Sequence, residues 1–344
     1  MAERQSGAAT VEPADASGAP GYTFHDHAPA PDNFREAVLH GLAQAHKAIP
    51  FRFLYDAAGS RLFEQICQQP EYYLTRTELA LLENHAGDIA ARVGPGAQLV
   101  ELGSGAGIKV ERLLAALTEP TAYIAVEISR PALVAAVQRL AADWPALDIH
   151  AVWADYASGF SLPLAKTQAN AQAKAGPVLG FFPGSSIGNL RPAQAQSLLA
   201  TWRQRLGAGA HLVIGVDLIK APAVLEAAYN DAAGITAAFT GNLLVRANRE
   251  LGADFDLDGF EHEARYLPGR AAIQINLVSR CAQQVTVSGR RFQFAAGERL
   301  HVEDSHKYSI DNFRSLADSA GWQALDVWTD ANELFSVHHL RVRG

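Results

Sequence analysis

A glycine-rich stretch in the first third of the chain constrains the fold more than any other feature. An apolar run that starts at Leu99 leads into Glu101, glycines then alternate with small residues, and a helical pattern opens at Lys109. This order predicts a strand, a tight turn and a helix N-terminus, the first βα unit of a nucleotide-binding α/β domain. Gly103 and Gly105 would let the backbone approach a ligand that a Cβ atom would exclude. A plain strand-to-helix connection is the alternative.

Two further apolar runs lead into acidic residues. Residues 122–126 are followed by Glu127, and residues 149–153 are followed closely by Asp155 and Tyr156. An acidic side chain at the tip of the second strand can accept hydrogen bonds from both ribose hydroxyls of an adenosine. Asp155 would accept from the adenine amine, and Tyr156 would pack on the adenine ring. A solvated strand end is the alternative for each acid taken alone.

The pattern around the turn, Glu-x-Gly-x-Gly-x-Gly, resembles motif I of S-adenosylmethionine (SAM) methyltransferases. The resemblance implies SAM as methyl donor and S-adenosyl-L-homocysteine as product. Three acid-tipped strands in sequence favour this interpretation over a plain connection.

Charge and composition narrow the functional class. The chain has 344 residues, of which 49% are hydrophobic and 19% charged, as is usual for a globular enzyme. Its net charge of −7 offers no field that would attract nucleic acid or an anionic membrane. Cys67 and Cys281 are the only cysteines and have no partner motif, so neither a disulfide framework nor a zinc site is expected.

The expected cellular location and partners follow from the sequence as well. No apolar run approaches the length of about 18 residues that a transmembrane helix needs, and the N-terminus lacks a secretory signal pattern. We therefore expect a cytoplasmic monomer that acts on a small molecule, with no metal, no nucleic-acid partner and no membrane association.

The first part of the chain divides into a tail and a helical extension. Residues 1–32 are rich in Ala, Gly, Pro and Ser, which predicts a disordered tail. Helical periodicity begins at Phe34. Thr75 and Glu78 have the spacing of a capping box, which predicts a helix start at Thr75.

The later part of the chain departs from a simple doubly wound plan. Residues 225–238 have a helical pattern, and from His262 a period of two predicts antiparallel strands joined by short turns. Two closing strands would complete the main sheet in antiparallel orientation. The predicted fold class is α/β, a Rossmann-like class I methyltransferase sheet with a helical N-terminal extension. The predicted domains are residues 33–221 together with 306–344, which bind SAM, and an inserted α+β substrate-binding domain, 222–305.

Several long blocks lie in both predicted domains, namely residues 53–64, 70–78, 184–189, 228–234 and 248–255. Together these blocks resemble the histidine-specific SAM-dependent methyltransferase family, over residues 34–343. The resemblance implies three methyl transfers from SAM to the α-amine of histidine. The product would be hercynine, and the reaction a step of ergothioneine biosynthesis.

The same resemblance implies roles for individual residues. The positions that match SAM-binding residues are Gly103, Lys109, Glu127, Asp155 and Tyr156. The positions that match histidine-binding residues are Tyr72, Asn189, Tyr229, Glu303 and Ser305. Further positions expected to line the pocket are Tyr55, Phe63, Gly184, Ser186 and Ile275.

The chemistry of these side chains agrees with the implied roles. Asn189 and Tyr229 offer neutral donors to an α-carboxylate. Glu303 and Ser305, two apart on an extended segment, point the same way and can bind the imidazole N–H and the other ring nitrogen. Without the resemblance, Glu303 would be interpreted as a surface acid, and Tyr72 and Tyr229 as packing aromatics.

One position departs from the family pattern, and one role stays open. Ile275 stands where many family members carry a pocket-lining Met, an apolar change that alters the shape modestly. Another small amino acid or amine, for example a tryptophan derivative, is the alternative substrate, although Glu303 and Ser305 favour imidazole over indole. Tyr55, or a water that it binds, is the candidate for proton removal. A non-catalytic SAM-binding subunit is the alternative from another functional class.

Overall fold

The structure, a computed structural model, describes residues 11–12, 21–27, 34–164 and 176–343. Its strands are β1 (Val11–Glu12), β2 (Tyr22–Asp26), β3 (Gln98–Leu102), β4 (Ala122–Glu127), β5 (Asp148–Trp153), β6 (Val178–Phe182), β7 (His211–Asp217), β8 (Phe260–Leu267), β9 (Ala272–Ser279), β10 (Gln283–Val287), β11 (Arg290–Phe294), β12 (Arg299–His306), β13 (Trp322–Thr329) and β14 (Phe335–Val342). Its α-helices are α1 (Phe34–Leu42), α2 (Ala57–Ile66), α3 (Tyr73–Val93), α4 (Ile108–Ala116), α5 (Arg130–Asp143), α6 (Pro192–Leu206), α7 (Pro222–Tyr229), α8 (Ile235–Leu251) and α9 (Ile310–Ser319).

Within these described ranges the main sheet has the strand order β1-β2-β5-β4-β3-β6-β7-β14-β13. Strands β2 to β7 are parallel, whereas β14 runs antiparallel to β7 and β13 antiparallel to β14. The chain leaves β3 in one direction along the sheet and later returns to β6 on the other side. This switch point between β3 and β6 is where open α/β sheets bind ligands.

Alternation of buried side chains explains why the central strands form a covered sheet. Leu99 and Tyr123 belong to the core on one face, whereas Val100 and Ile124 belong to the core on the other. Both faces of each strand are apolar, as expected for parallel strands with helices on both sides. The predicted fold class, a Rossmann-like methyltransferase sheet with antiparallel closing strands, is therefore confirmed.

The predicted disorder of residues 1–32 is wrong for Tyr22–Asp26, which form the edge strand β2. This strand pairs in parallel with β5, with Tyr22 opposite Ile149 and Asp26 opposite Trp153. The Arg130 guanidinium lies over the rings of both Phe24 in β2 and Trp153 in β5, which stabilises the pairing of these two strands. Val11–Glu12 add a short antiparallel pairing, and residues 1–10, 13–20 and 28–32 of the predicted tail lie outside the described residues.

Helix α3 begins at Tyr73, two residues before the predicted start, and its N-cap residue Tyr72 makes no side-chain capping bond. The predicted capping box of Thr75 and Glu78 is therefore wrong. Thr75 lies inside the helix, and the Glu78 side chain is fully buried. Glu78 has a different partner, which belongs to the candidate site.

The segment between β7 and the closing strands carries its own sheets. Strands β12, β9 and β8 form an antiparallel sheet, and β10 and β11 form a hairpin through a turn at Ser288–Gly289. The predicted helix over residues 225–238 is interrupted, because Asp231 accepts hydrogen bonds from the backbone N–H groups of Ile235 and Thr236 and starts α8. The division into domains at 33–221 with 306–344 and at 222–305 stays a prediction.

Among the helices of the described ranges, none combines the length and the apolar character that a membrane crossing requires.

Candidate active site

The turn between β3 and α4 leaves its backbone open at the carboxyl edge of the sheet. Gly103 and Gly105 have φ values of 72° and 49°, in the left-handed region that side chains rarely adopt. An ideal Cβ atom on Gly103 would lie 3.7 Å from Cε1 of Tyr156. A side chain there would fill the space between the turn and the Tyr156 ring.

Glu127 lies at the end of β4 and faces this turn. One carboxylate oxygen accepts from the backbone N–H of Gly105 at 2.9 Å, and the other from that of Ser129 at 2.9 Å. Burial raises the pKa of Glu127, and these backbone hydrogen bonds oppose the shift. Because each oxygen has more than one acceptor site, both can still accept from a pair of vicinal hydroxyls.

Asp155 and Tyr156 follow β5 beside the same turn. The Asp155 carboxylate accepts from the backbone N–H of Ala157 at 2.8 Å, which fixes the loop. The Tyr156 ring packs edge-on against Phe182, with centroids 5.3 Å apart. Burial raises the pKa of Tyr156, and the Asp155 charge adds to the effect, so the phenol stays neutral.

Lys109 is paired with Glu78, which the sequence predicted to be part of a helix capping box. Its Nζ donates to Oε2 of the buried Glu78 at 2.5 Å, and the backbone N–H of Gly184 donates to the same oxygen at 2.9 Å. Glu78 therefore joins α3, the first turn of α4 and the loop after β6. Lys109 lies in the first turn of α4, and its side chain reaches the loop after β6, where an ideal Cβ atom on Gly184 would lie 3.5 Å from Nζ.

The predicted pocket residues line one cavity beside the turn. Its lining includes all of the residues expected for substrate contact or chemistry: Tyr55, Phe63, Tyr72, Gly184, Ser186, Asn189, Tyr229, Ile275, Glu303 and Ser305. Residues on the lining that sequence reasoning missed are Ile66, Ser185, Thr236, Phe239 and Thr240. Helical periodicity marks Ile66 and Phe239 as buried positions but gives no sign that they border a cavity.

Aromatic side chains make up one wall of the cavity. Tyr55 makes edge contacts with Phe63 and Phe239 at centroid distances of 5.7 and 5.5 Å. Tyr72 contacts Phe63 at 6.3 Å and Tyr229 at 6.1 Å. These rings keep water away from the polar groups on the opposite wall, where electrostatic interactions are correspondingly stronger.

Glu303 supplies a buried carboxyl group to the opposite wall. Glu303 is paired across the sheet with Ile275 of β9. Ile275, which stands where many family members carry Met, therefore lies beside Glu303. Burial raises the pKa of Glu303 to about 8, while Lys307 lowers it and Asp304 raises it. Both Glu303 and Ser305 face the cavity, which confirms that they point the same way.

Lys307 completes this wall from behind. Its Nζ donates to the Tyr229 hydroxyl at 2.8 Å and to Ser305 Oγ at 2.9 Å, and it forms an ion pair with Oδ2 of Asp217 at 2.7 Å. The side chains of Lys307 and Asp217 are both fully buried. Sequence reasoning missed both residues, because the segment around Lys307 resembles a polar surface strand.

Tyr55 lines the cavity and lies near enough to Glu127, beside the glycine turn, for the charge of that carboxylate to affect it. Burial raises its pKa well above the ordinary value, and the charges of Glu303 and Glu127 raise it further. The phenol is therefore neutral at physiological pH and does not act as a phenolate base. It can accept a hydrogen bond from an ammonium N–H or bind a water.

Comparison with known proteins identifies the family to which this site belongs. The histidine-specific, SAM-dependent methyltransferase family matches residues 34–342. The chain belongs to this family. Histidine N-alpha-methyltransferase of Mycolicibacterium smegmatis is 39% identical over 88% of this chain and 92% of its own length. The protein of the same name from Mycobacterium tuberculosis is 33% identical over 86% and 91%. N-methyltransferase dtpB of Aspergillus flavus is 27% identical over 90% and 88%.

The SAM dependence of the methyltransferase family agrees with the residues at the turn. Gly103 leaves a gap that a Cβ atom would narrow. The carboxylate oxygens of Glu127 have acceptor capacity left for a pair of hydroxyls, and the neutral Tyr156 ring has a face that could pack against adenine. SAM is the methyl donor of this family. Within the described residues, no cluster of three or more His, Cys, Asp or Glu side chains has the arrangement of a metal site.

Proposed function

We propose that this methyltransferase transfers methyl groups from SAM to the α-amine of histidine until the trimethylated betaine hercynine is formed. The observation that supports histidine most strongly is the buried pair Glu303 and Ser305 on one cavity wall. Their spacing suits the two nitrogens of an imidazole, with Glu303 accepting from the N–H. The reaction would be a step of ergothioneine biosynthesis.

The remaining polar groups suit the rest of a histidine molecule. Asn189 and Tyr229 would donate to the α-carboxylate, and Tyr72 with Phe63 would pack against the imidazole ring. SAM supplies an electrophilic methyl carbon, and the amine lone pair forms the new N–C bond while the C–S electron pair returns to sulfur. The aromatic wall excludes water and helps to align the amine for attack.

Each of the first two products is an ammonium that must lose a proton before the next transfer. A desolvated cavity lowers the pKa of such an ammonium and so favours the proton loss. We propose that the neutral Tyr55 accepts a hydrogen bond from the departing N–H, directly or through a water. The quaternary product has no N–H, so methylation stops after the third transfer.

The proposed function is tested by incubating the purified protein with SAM and L-histidine and following the amino acid by mass spectrometry. Successive addition of one, two and three methyl groups is expected. If neither histidine nor any other amine is methylated although SAM binds, the chain would instead be a SAM-binding subunit.

A second candidate is N-methylation of another small amino acid or amine. Ile275 lies beside Glu303, so a change of size there alters the space next to the imidazole-binding group. A panel of free amino acids, including tryptophan, separates this candidate from histidine methylation. Cytoplasmic location, a monomeric state and the absence of nucleic-acid partners remain predictions; gel filtration with light scattering tests the monomer.

Tyr55→Phe is expected to lower kcat about tenfold at one or more of the three transfers, because it removes one hydrogen bond to the reacting amine. The pH profile should not shift, since burial keeps Tyr55 neutral. Tyr266→Phe, on β8 outside the cavity lining, is the matched control. Unchanged rates at all three transfers would remove Tyr55 from the chemistry.

Binding of hercynine is expected to strengthen as the pH rises through about 8, the pKa to which burial raises Glu303. Below this pH the carboxyl of the free enzyme is protonated, and it would accept the imidazole N–H only through a neutral oxygen, which gives a weaker hydrogen bond than the carboxylate does. Linkage predicts an affinity gain of about tenfold or more from about pH 6.5 to 9. Calorimetry with hercynine is suitable because its quaternary amine does not titrate.

In Glu303→Gln the affinity for hercynine should vary little over the same pH range. An affinity of the wild-type protein that falls as the pH rises would mean that Glu303 binds the ligand in its protonated form.

A further inference from the structure

Lys307 lies behind the cavity, and its ammonium nitrogen contacts three oxygen atoms. An ammonium group has three hydrogens and no acceptor. Lys307 donates hydrogen bonds to Tyr229 Oη at 2.8 Å and Ser305 Oγ at 2.9 Å, and it forms an ion pair with Asp217 Oδ2 at 2.7 Å. Two of the three acceptors are hydroxyl groups that line the substrate cavity.

The charge on Lys307 is maintained by the groups packed around it. Burial lowers its pKa, but the Asp217 carboxylate and the hydrogen bonds raise it by more, above the usual range. Asp217 also accepts from Lys220 at 2.6 Å and from the Tyr73 hydroxyl at 2.7 Å. Burial lowers the pKa of Lys220 to about 8, so below that pH two ammonium groups share the Asp217 carboxylate and these three groups together carry a net positive charge. Such a cluster beside Tyr229 favours an anionic substrate group.

The position of Lys307 determines where the hydroxyl hydrogens of Tyr229 and Ser305 can go. Each hydroxyl has one hydrogen, and neither can donate to the lysine because an ammonium accepts nothing. The two oxygens are 2.9 Å apart, so each hydrogen goes to the other oxygen or into the cavity. A ligand that places an acceptor near each oxygen would draw both hydrogens toward itself.

We propose that Lys307 is a positioning residue that makes the cavity hydroxyls of Tyr229 and Ser305 donors to the substrate. This inference rests on the proposed function. Tyr229 then donates to the α-carboxylate, and Ser305 donates to the unprotonated imidazole nitrogen, while Glu303 accepts from the opposite N–H. The arrangement selects neutral imidazole. An imidazolium has no free lone pair for Ser305, and an indole has none either.

The test compares Lys307→Met with Lys220→Met. Both lysines pair with Asp217, but only Lys307 contacts Tyr229 and Ser305. Lys307→Met is expected to raise KM for histidine about tenfold or more, since two positioned donors are lost, with KM for SAM within about twofold. Lys220→Met should leave KM for histidine within about threefold of the wild-type value.

A double-mutant cycle separates positioning from general destabilisation. In a Ser305→Ala background, the effect of Lys307→Met on KM for histidine should shrink at least about threefold, because the two residues act through one hydrogen bond. Equal effects of the two lysine variants, or additive effects in the cycle, would overturn the proposal. Turnover of histidine by the wild-type protein is measured first, so a failure of the proposed function is seen separately.

A measurement on the wild-type protein remains informative if Lys307→Met does not fold. Hercynine labelled with ¹⁵N in the ring is bound at about pH 8 and observed by NMR. One N–H nitrogen and one hydrogen-bonded lone-pair nitrogen are expected. Two N–H nitrogens, the signature of an imidazolium, would overturn the proposed donor arrangement.

Discussion

Glu303→Gln is expected to lower kcat/KM for histidine by about 100- to 1,000-fold, with little change in KM for SAM. The amide presents a single acceptor oxygen and no charge, so the charge-assisted bond to the imidazole N–H is lost inside a desolvated cavity. Initial rates with varied histidine at saturating SAM give the kinetic constants.

Asp304→Asn is the matched control for Glu303→Gln. Asp304 is the next residue on the same strand, and its carboxylate pairs with Arg270 at 2.8 Å outside the cavity lining. This variant should retain kcat/KM within about threefold of the wild type, because the ion pair that it removes lies outside the cavity lining and its arginine is half exposed. If Glu303→Gln and Asp304→Asn had equal activity, Glu303 would not bind the substrate.

Glu127→Ala is expected to weaken binding of S-adenosyl-L-homocysteine about 100-fold. The variant would lose the acceptors for both ribose hydroxyls, each a charge-assisted bond. It would also leave the backbone N–H groups of Gly105 and Ser129 without their partner, which loosens the turn. Isothermal titration calorimetry measures the affinity directly, and thermal melting checks the fold.

Asp148→Ala provides the comparison for Glu127→Ala. Asp148 is an exposed acid at the start of the neighbouring strand β5. It therefore lies at the amino ends of the parallel strands, whereas the glycine turn lies at their carboxyl ends. Its removal should leave the affinity unchanged within about twofold. A folded Glu127→Ala protein that binds S-adenosyl-L-homocysteine within about threefold of the wild type would show that Glu127 has no role in binding the cofactor.

The central sheet could be predicted from the sequence because its signals are local. The apolar run before Glu101 and the glycines after it determine a strand and a turn whatever the rest of the chain does. The period of two after His262 correctly predicts antiparallel strands such as β9, because alternating side chains face different environments on the two sides of a sheet. The set of cavity residues came from the family resemblance, not from spacing.

The missed features depend on partners far away in the sequence. The Thr75–Glu78 spacing is the same whether the glutamate turns back to cap the helix or points inward. Its inward position is determined by Lys109 and Gly184, which are 31 and 106 residues away. Lys307 is buried against Asp217, although lysine is rarely buried unless it is paired, and no local pattern reveals such a pairing.

The edge strand β2 was missed for a related reason. Tyr22 and Phe24 are its only large apolar residues, and five residues are too few to separate an alternating pattern from a polar tail. The strand forms because β5 offers an unpaired edge with which it makes a parallel ladder. Such pairing depends on the neighbouring strand and not on the apolar content of the segment itself.

The central claim, Nα-methylation of histidine, is tested most directly by a competition in one reaction. The wild-type protein is incubated with SAM and equal amounts of histidine, tryptophan and other free amino acids, and all products are followed by mass spectrometry over time. We predict that histidine alone acquires one, then two, then three methyl groups. Faster methylation of another amino acid would contradict the claim and would point to the surroundings of Ile275 as the determinant of specificity.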